Sequence, residues 1–367
     1  MAPPFRSKHV PRKDAASVFT RDLKKPDRDW KPVLFTEHVS TRPSNLAPNV
    51  RSLSWSPTGS LIATAIGANV RVWSPERPNV RQSIDMKNAG GGGAGLPTAT
   101  LEKIGFCPLK EELLATTGAD GGVRLWDVRL PGGGVGSGKG TKVSECKVGD
   151  AGLFLTWHPN GQEILIGRKD DGIRAVDIRK MTGPGEDGKW AMDVAERPLS
   201  KDRGQLNAMA FSNSGSELFA TTSDGPVKIL DYPSMSILHE LKGHANSTHC
   251  VQHSPAGNYI AVGGTDSFIT LWDTQTLHCA NTITSHAGSV RELSFSFDGS
   301  YLCAGSLTDS KDSEKGLTII HVESGEEVVK VETTNPVACV AWHPTRYQVA
   351  YSGDPGGLKI VGAGTQI

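Results

Sequence analysis

The sequence predicts an all-β chain in which seven similar four-stranded units follow one another. Three observations carry this. A motif of two apolar residues and an aromatic, spaced apolar-x-x-apolar-x-aromatic, recurs seven times in the 367 residues. A second landmark begins 18–20 residues after the aromatic in six of the copies, and in four of those it is followed by Asp. Gly and Pro together make up about 17 per cent of the chain, against about 12 per cent in ordinary proteins, which sets turns close together and disfavours long helices.

Residues 1–31 come first. They hold nine Lys/Arg, four Asp and few large apolar groups, too little apolar surface to fold, so a disordered basic tail is expected. Next comes a strand-like run, Pro32–Glu37, that belongs to no copy. The seventh copy reaches its third strand at Leu358–Gly362 with too few residues left for a fourth. The early run, at about 32–38, is therefore expected to close that last sheet, covering an edge that invites aggregation.

The copies lie at about 45–75, 98–129, 150–180, 204–234, 241–276, 285–324 and 335–364. Their first strands end on Trp55, Phe106, Trp157, Phe211, His253 (in an aromatic's place), Phe295 and Trp342. In five copies a Gly four residues later makes the turn. The third strands close on Trp73, Trp126-Asp127, Val176-Asp177, Leu230-Asp231, Trp272-Asp273 and Val361, while a polar insertion around Asp309–Gly316 delays the sixth to Ile320. A fourth strand, such as Ser236–Leu241, fills the interval before the next copy.

Four strands per 40–50 residues with a closing Trp-Asp resemble the WD-repeat family, and seven copies imply a seven-bladed β-propeller over residues 32–364. Gly243-His244 and Ser285-His286 match the family's pair before the first strand. In such repeats the His, an Asp in the turn before the third strand (here Asp266) and the closing Trp272 form a buried hydrogen-bonded set. Buried polar groups must be paired, so these residues are expected to be structural. Gly264 stands where the family often has Ser, and the set in the fifth copy is expected to be incomplete. His158 and His343, each in Trp-His-Pro, are expected at turns.

The remaining chemistry is sparse. None of Cys107, Cys146, Cys250, Cys279, Cys303 and Cys339 lies within four residues of another, which excludes paired zinc ligands and leaves six reduced, buried structural thiols as the expectation. The loop Gly132–Thr141 imitates a phosphate loop, but Gly140 replaces the magnesium-binding hydroxyl and Thr141–Cys146 reads as a strand rather than a helix. Similar insertions at Asn88–Gly95, Thr182–Lys189 and Ser310–Gly316 are expected to be solvated loops. No triad, carboxylate pair or metal spacing stands out, so no catalytic residue, cofactor or metal is expected.

Charge is balanced overall, but residues 1–31 carry a net +5 and the remainder a net −5. A body of that sign is a poor phosphate binder, and any nucleic acid is expected to meet the tail. No stretch reaches the roughly 18 apolar residues of a membrane span. The first residues lack the apolar segment of a secretory signal, so a soluble intracellular chain is expected. Asp127-Val128-Arg129 and Asp177-Ile178-Arg179 are similar to the Trp-Asp-x-Arg boxes of cullin–RING substrate receptors, which sets the alternative function.

Less common residues point to one family. They are Gly167-Arg168-Lys169-Asp170-Asp171, Ile229-Leu230-Asp231-Tyr232-Pro233 and Gly243-His244-Ala245-Asn246-Ser247, then Leu293–Gly299 and Val340–Arg346. In this order they resemble the WD-repeat subunit of the THO complex, the Tex family, over about residues 45–364. The resemblance implies a non-catalytic nuclear scaffold that docks on the large helical-repeat THO subunit and meets other THO subunits. A DEAD-box helicase, an RNA adaptor and mRNA would be reached indirectly. The Gly-rich insertions and the basic tail depart from the family pattern.

Overall fold

The structure is a computed structural model that describes residues 33–34, 50–75, 84–86, 99–129, 141–180, 194–197, 204–285, 288–306, 316–354 and 357–362. Its 28 strands form seven four-stranded antiparallel sheets, and the fold is a seven-bladed β-propeller. Two compact units divide the chain, one of residues 35–200 and 356–358, the other of 1–34, 201–355 and 359–367.

A short strand, β1 (Val33–Leu34), comes first. The first unit then holds three blades. Blade 1 is β2 (Val50–Trp55), β3 (Ile62–Ile66), β4 (Asn69–Trp73) and β5 (Ile84–Met86). Blade 2 is β6 (Leu101–Phe106), β7 (Leu113–Gly118), β8 (Gly122–Asp127) and β9 (Thr141–Lys147). Blade 3 is β10 (Gly152–Trp157), β11 (Glu163–Arg168), β12 (Ile173–Asp177) and β13 (Val194–Arg197), with a 3-10 turn at Ile178–Lys180.

The second unit holds the other four. Blade 4 is β14 (Leu206–Phe211), β15 (Glu217–Thr222), β16 (Val227–Asp231) and β17 (Ile237–Leu241). Blade 5 is β18 (Thr248–His253), β19 (Tyr259–Gly264), β20 (Ile269–Asp273) and β21 (Cys279–Ile283). Blade 6 is β22 (Val290–Phe295), β23 (Tyr301–Ser306), β24 (Leu317–His321) and β25 (Glu327–Val331). Blade 7 is β26 (Val340–Trp342), β27 (Gln348–Asp354) and β28 (Gly357–Gly362). Its fourth strand is β1, antiparallel to β28 with Val33 opposite Ile360.

The turn after each first strand shows why the repeat reads as it does. Gly59, Gly161, Gly215, Gly257 and Gly299 all have φ between 65° and 80°, where a Cβ is strained. Each closes a tight turn by donating its N–H to the carbonyl three residues earlier, as Gly215 does to Ser212 at 2.9 Å. In four blades that earlier residue is a buried Ser (Ser56, Ser212, Ser254, Ser296). Its hydroxyl accepts the N–H five residues on, at 2.9–3.2 Å. One serine thus satisfies an otherwise orphaned donor at the start of the second strand.

The cores lie between successive blades of each unit. Ala63, Ala65, Val70 and Val72 of blade 1 pack on Leu101, Ile104 and Phe106 of blade 2. Ile269, Leu271 and Ala261 of blade 5 meet Val290, Leu293 and Phe295 of blade 6 in the same way. A single sheet cannot bury both faces alone, so each blade is stabilised by its neighbours.

The tail 1–31, the insertions at 88–95, 182–189 and 310–315, and residues 132–140 lie outside the described residues. Directly after residues 132–140 comes β9, a strand paired with β8. Five cysteines are buried, but Cys279 is exposed at the start of β21. That corrects the expectation of six buried thiols: a fourth strand has a neighbour on one side only, and β21 exposes most of its residues.

Candidate functional site

The aromatic anchors Trp55, Phe106, Phe211, Phe295 and Trp342 are buried, as are the closing Trp73, Trp126 and Trp272. Trp157 is half-buried, and its indole N–H donates to the Gly105 carbonyl of the preceding blade at 2.9 Å. The closing carboxylates hold the turns beyond them. Asp127 accepts the N–H of Arg129 at 2.8 Å, Asp177 that of Arg179 at 3.0 Å, and Asp273 those of Gln275 and Thr276 at 2.9 and 2.8 Å. His158 and His343 likewise use Nδ1 to accept a backbone N–H two residues on, both at 3.1 Å.

In blade 5 the structure brings His244, Asp266 and Trp272 together, with Thr270 joining them. His244 Nδ1 lies 2.9 Å from Asp266, and its Nε2 2.9 Å from the Thr270 hydroxyl. The Trp272 indole N–H donates to the same hydroxyl at 2.9 Å. The expectation of an incomplete set at Gly264 is corrected here, because the hydroxyl comes from the third strand instead. A Cβ on Gly264 would sit 2.7 Å from His244 Nδ1. His286 lies outside the described residues.

Blades 2 and 3 answer the same need with arginines that sequence reasoning missed. Arg124, with 2% of its side chain exposed, pairs with Asp120 and lies 2.8 Å from Glu145. Burial alone would raise the Asp120 carboxyl, but hydrogen bonds from Arg124 and Lys147 outweigh it and bring it down to about 2. In blade 3, Arg168 pairs with Asp170 and donates to the Val148 carbonyl at 2.9 Å. A sequence signal existed: a cation two residues before the closing residue, opposite an acid on the fourth strand. It recurs as Arg124–Glu145, Arg174–Glu196 and Lys228–Glu240.

First-strand side chains also stitch blade 1 to blade 2 and blade 6 to blade 7. Ser52 and Ser54 accept the N–H groups of Ile104 and Phe106 at 3.2 and 3.1 Å. Glu292 and Ser294 do the same for Val340 and Trp342, both at 3.0 Å.

Thiol chemistry is suppressed where it is buried: burial pushes Cys146 up to about 12 and Cys303 well above the ordinary range, which keeps both as thiols. Among the described residues, no three His, Cys, Asp or Glu side chains converge as metal ligands would. What the arrangement provides is a set of four-stranded blades with side chains presented at their turns.

The model of the WD domain, G-beta repeat, matches residues 37–74, 235–273 and 277–312. THO complex subunit 3 of Arabidopsis thaliana is 28% identical over 83% of this chain and 86% of its own length. WD repeat-containing protein AAC3 of Dictyostelium discoideum is 26% identical over 82% of this chain, which spans 61% of that protein. Among solved structures, the Cps50 (Swd1) β-propeller domain of Myceliophteria thermophila superposes with a TM-score of 0.68 at 17% identity, over 86% of this chain and 97% of that one. This chain is a seven-bladed propeller that matches the WD-repeat model in three stretches and is similar in sequence to THO complex subunit 3.

Proposed function

We propose that the chain is a non-catalytic scaffold subunit of a nuclear THO-type assembly, coupling transcription to mRNA packaging and export through protein–protein contacts. The similarity to THO complex subunit 3 carries this reading, because it runs across 83% of the chain rather than within a few generic repeats. In this reading the propeller body is residues 32–364, and the anchors and closing residues are structural. Its partners are the large helical-repeat subunit and the other THO subunits. The body's net charge of −5 supports contact with mRNA through those subunits or through the basic tail.

Affinity purification of the endogenous protein, with the co-purifying subunits identified, tests it. Recovery of the helical-repeat subunit is the expected result, and its absence from a stable complex overturns the reading. The second reading, a cullin–RING substrate receptor, draws on the exposure of the Arg129 and Arg179 side chains, 66% and 64%. It requires a ligase adaptor in the same purification, lost on Arg129→Ala.

A further inference from the structure

Six first strands share one irregularity. Register slips by one residue between Val50 and Ser52, Leu101 and Lys103, Gly152 and Phe154, Leu206 and Ala208, Thr248 and Cys250, and Val290 and Glu292. Such a bulge leaves one residue unpaired and re-aims its side chain. The bulged residues are Arg51, Glu102, Leu153, Asn207, His249 and Arg291.

In the first unit this position is neutralised from within. Arg51 of blade 1 lies 2.7 Å from Glu102, the equivalent residue of the next blade. In the second unit the same arrangement begins and is left unfinished. Arg291 of blade 6 is exposed, and the equivalent residue of the next blade, four before Trp342, is Ala338. A methyl stands where a carboxylate would be. On the other side is His249 of blade 5, half-buried and with Nε2 buried without a hydrogen-bond partner. Desolvation, followed by the charge of Arg291, favours its neutral form. Asn207 of blade 4 is already committed to Ser247 and Thr248 at 2.8 and 2.7 Å. Among the described residues no ion pair engages Arg291.

We propose that Arg291, framed by His249 and Ala338, receives a Glu or Asp side chain from a protein partner, completing between chains the pair that Arg51 and Glu102 make within one. The molecule itself shows which ligand chemistry suits the position. A nucleic-acid backbone fits less well, since phosphate binding needs several clustered cations and the body carries a net −5. This deepens the scaffold reading, and its test uses an isolated peptide, so failure here leaves the purification test of that reading standing.

The full chain is titrated with a capped tetraglutamate peptide while the Arg291 Nε–H resonance is followed by NMR, with capped tetralysine and oligouridylate in parallel. A saturable shift with tetraglutamate alone is expected. One charge-assisted contact implies binding weakened about tenfold or more in Arg291→Gln. Ala338→Glu, which supplies the carboxylate from within, should abolish the response with the melting temperature unchanged. If Ala338→Glu does not fold, Arg291→Gln decides alone, because that side chain is exposed. No shift with tetraglutamate, an undiminished shift in Arg291→Gln, or a stronger response to oligouridylate would overturn the proposal.

Discussion

The hydroxyl of Thr270 sits 2.9 Å from the Nε2 of His244. Trp272 can only donate, so the threonine oxygen accepts from its indole N–H, also at 2.9 Å. His244 Nδ1 lies 2.9 Å from Asp266. Four side chains are thus joined in one line through a single hydroxyl. Thr270→Val should therefore strand the indole N–H and Nε2 together and cost about 2–4 kcal/mol in urea unfolding, whereas Thr270→Ser should cost less than about 1 kcal/mol.

Gly264→Ala should also destabilise, although alanine is larger by one methyl only. The new Cβ would lie 2.7 and 2.8 Å from His244 Nδ1 and Asp266 Oδ1, atoms held in place by their bond to each other and by Thr270. A cost of about 1–3 kcal/mol is expected from such overpacking. A neutral result in the same assay would show that His244 and Asp266 can move apart freely.

His249 should make stability depend on pH. Its folded value is lowered to about 4 by burial and then by Arg291, while an unfolded histidine titrates near 6.5. Between the two the unfolded chain binds the proton first, so the contribution is complete above about pH 6.5 and lost as pH falls toward 4. Unfolding curves of the parent should weaken across that window more steeply than those of His249→Gln. Asp120, lowered to about 2, acts in a separate window below about pH 4.

Two arginines of blade 2 should differ sharply. Arg124→Leu removes a guanidinium 2% exposed and leaves Asp120 and Glu145 facing each other, at a cost of about 3–5 kcal/mol. Arg129, 66% exposed and 3.2 Å from Glu112, should cost at most about 1 kcal/mol on replacement by Ala. Chemical denaturation of both variants checks the contrast.

Removal of residues 1–38 deletes β1 and uncovers the edge of β28, so a clear fall in melting temperature is expected. Removal of residues 1–28 spares the strand and should leave the melting temperature unchanged. Equal stability of the two truncations would mean that the pairing of Val33 with Ile360 contributes little.

Most of the architecture was legible because the repeat marks its own joints. Trp126-Asp127 and Trp272-Asp273 end third strands, and Gly59 and Gly299 take the positive φ their spacing foretold. The polar sets were only half legible. His244 and Asp266 stand at the expected distance in sequence, but Thr270 looks like any strand residue until the sheet places it beside the indole. Arg168 was hidden for a related reason: its guanidinium is recognisable only once Asp170 is seen against it, whereas Arg124 stands two residues before the closing Trp126, where a cation recurs in blades 3 and 4. The bulges that expose Arg51 and Arg291 were not legible at all, since alternation along a strand does not say which residue the partner strand skips.

The pairing of β1 with β28 also bears on how the protein is made. Val33 and Ile360 are joined across more than 300 residues of intervening chain, so the seventh sheet has the longest loop to close of any in the molecule. On the ribosome the other blades can assemble as they emerge, each from a local stretch of sequence. The early strand has its partner only once β28 has been made. Translation thus sets the order of assembly, and this sheet joins the first described strand to the last.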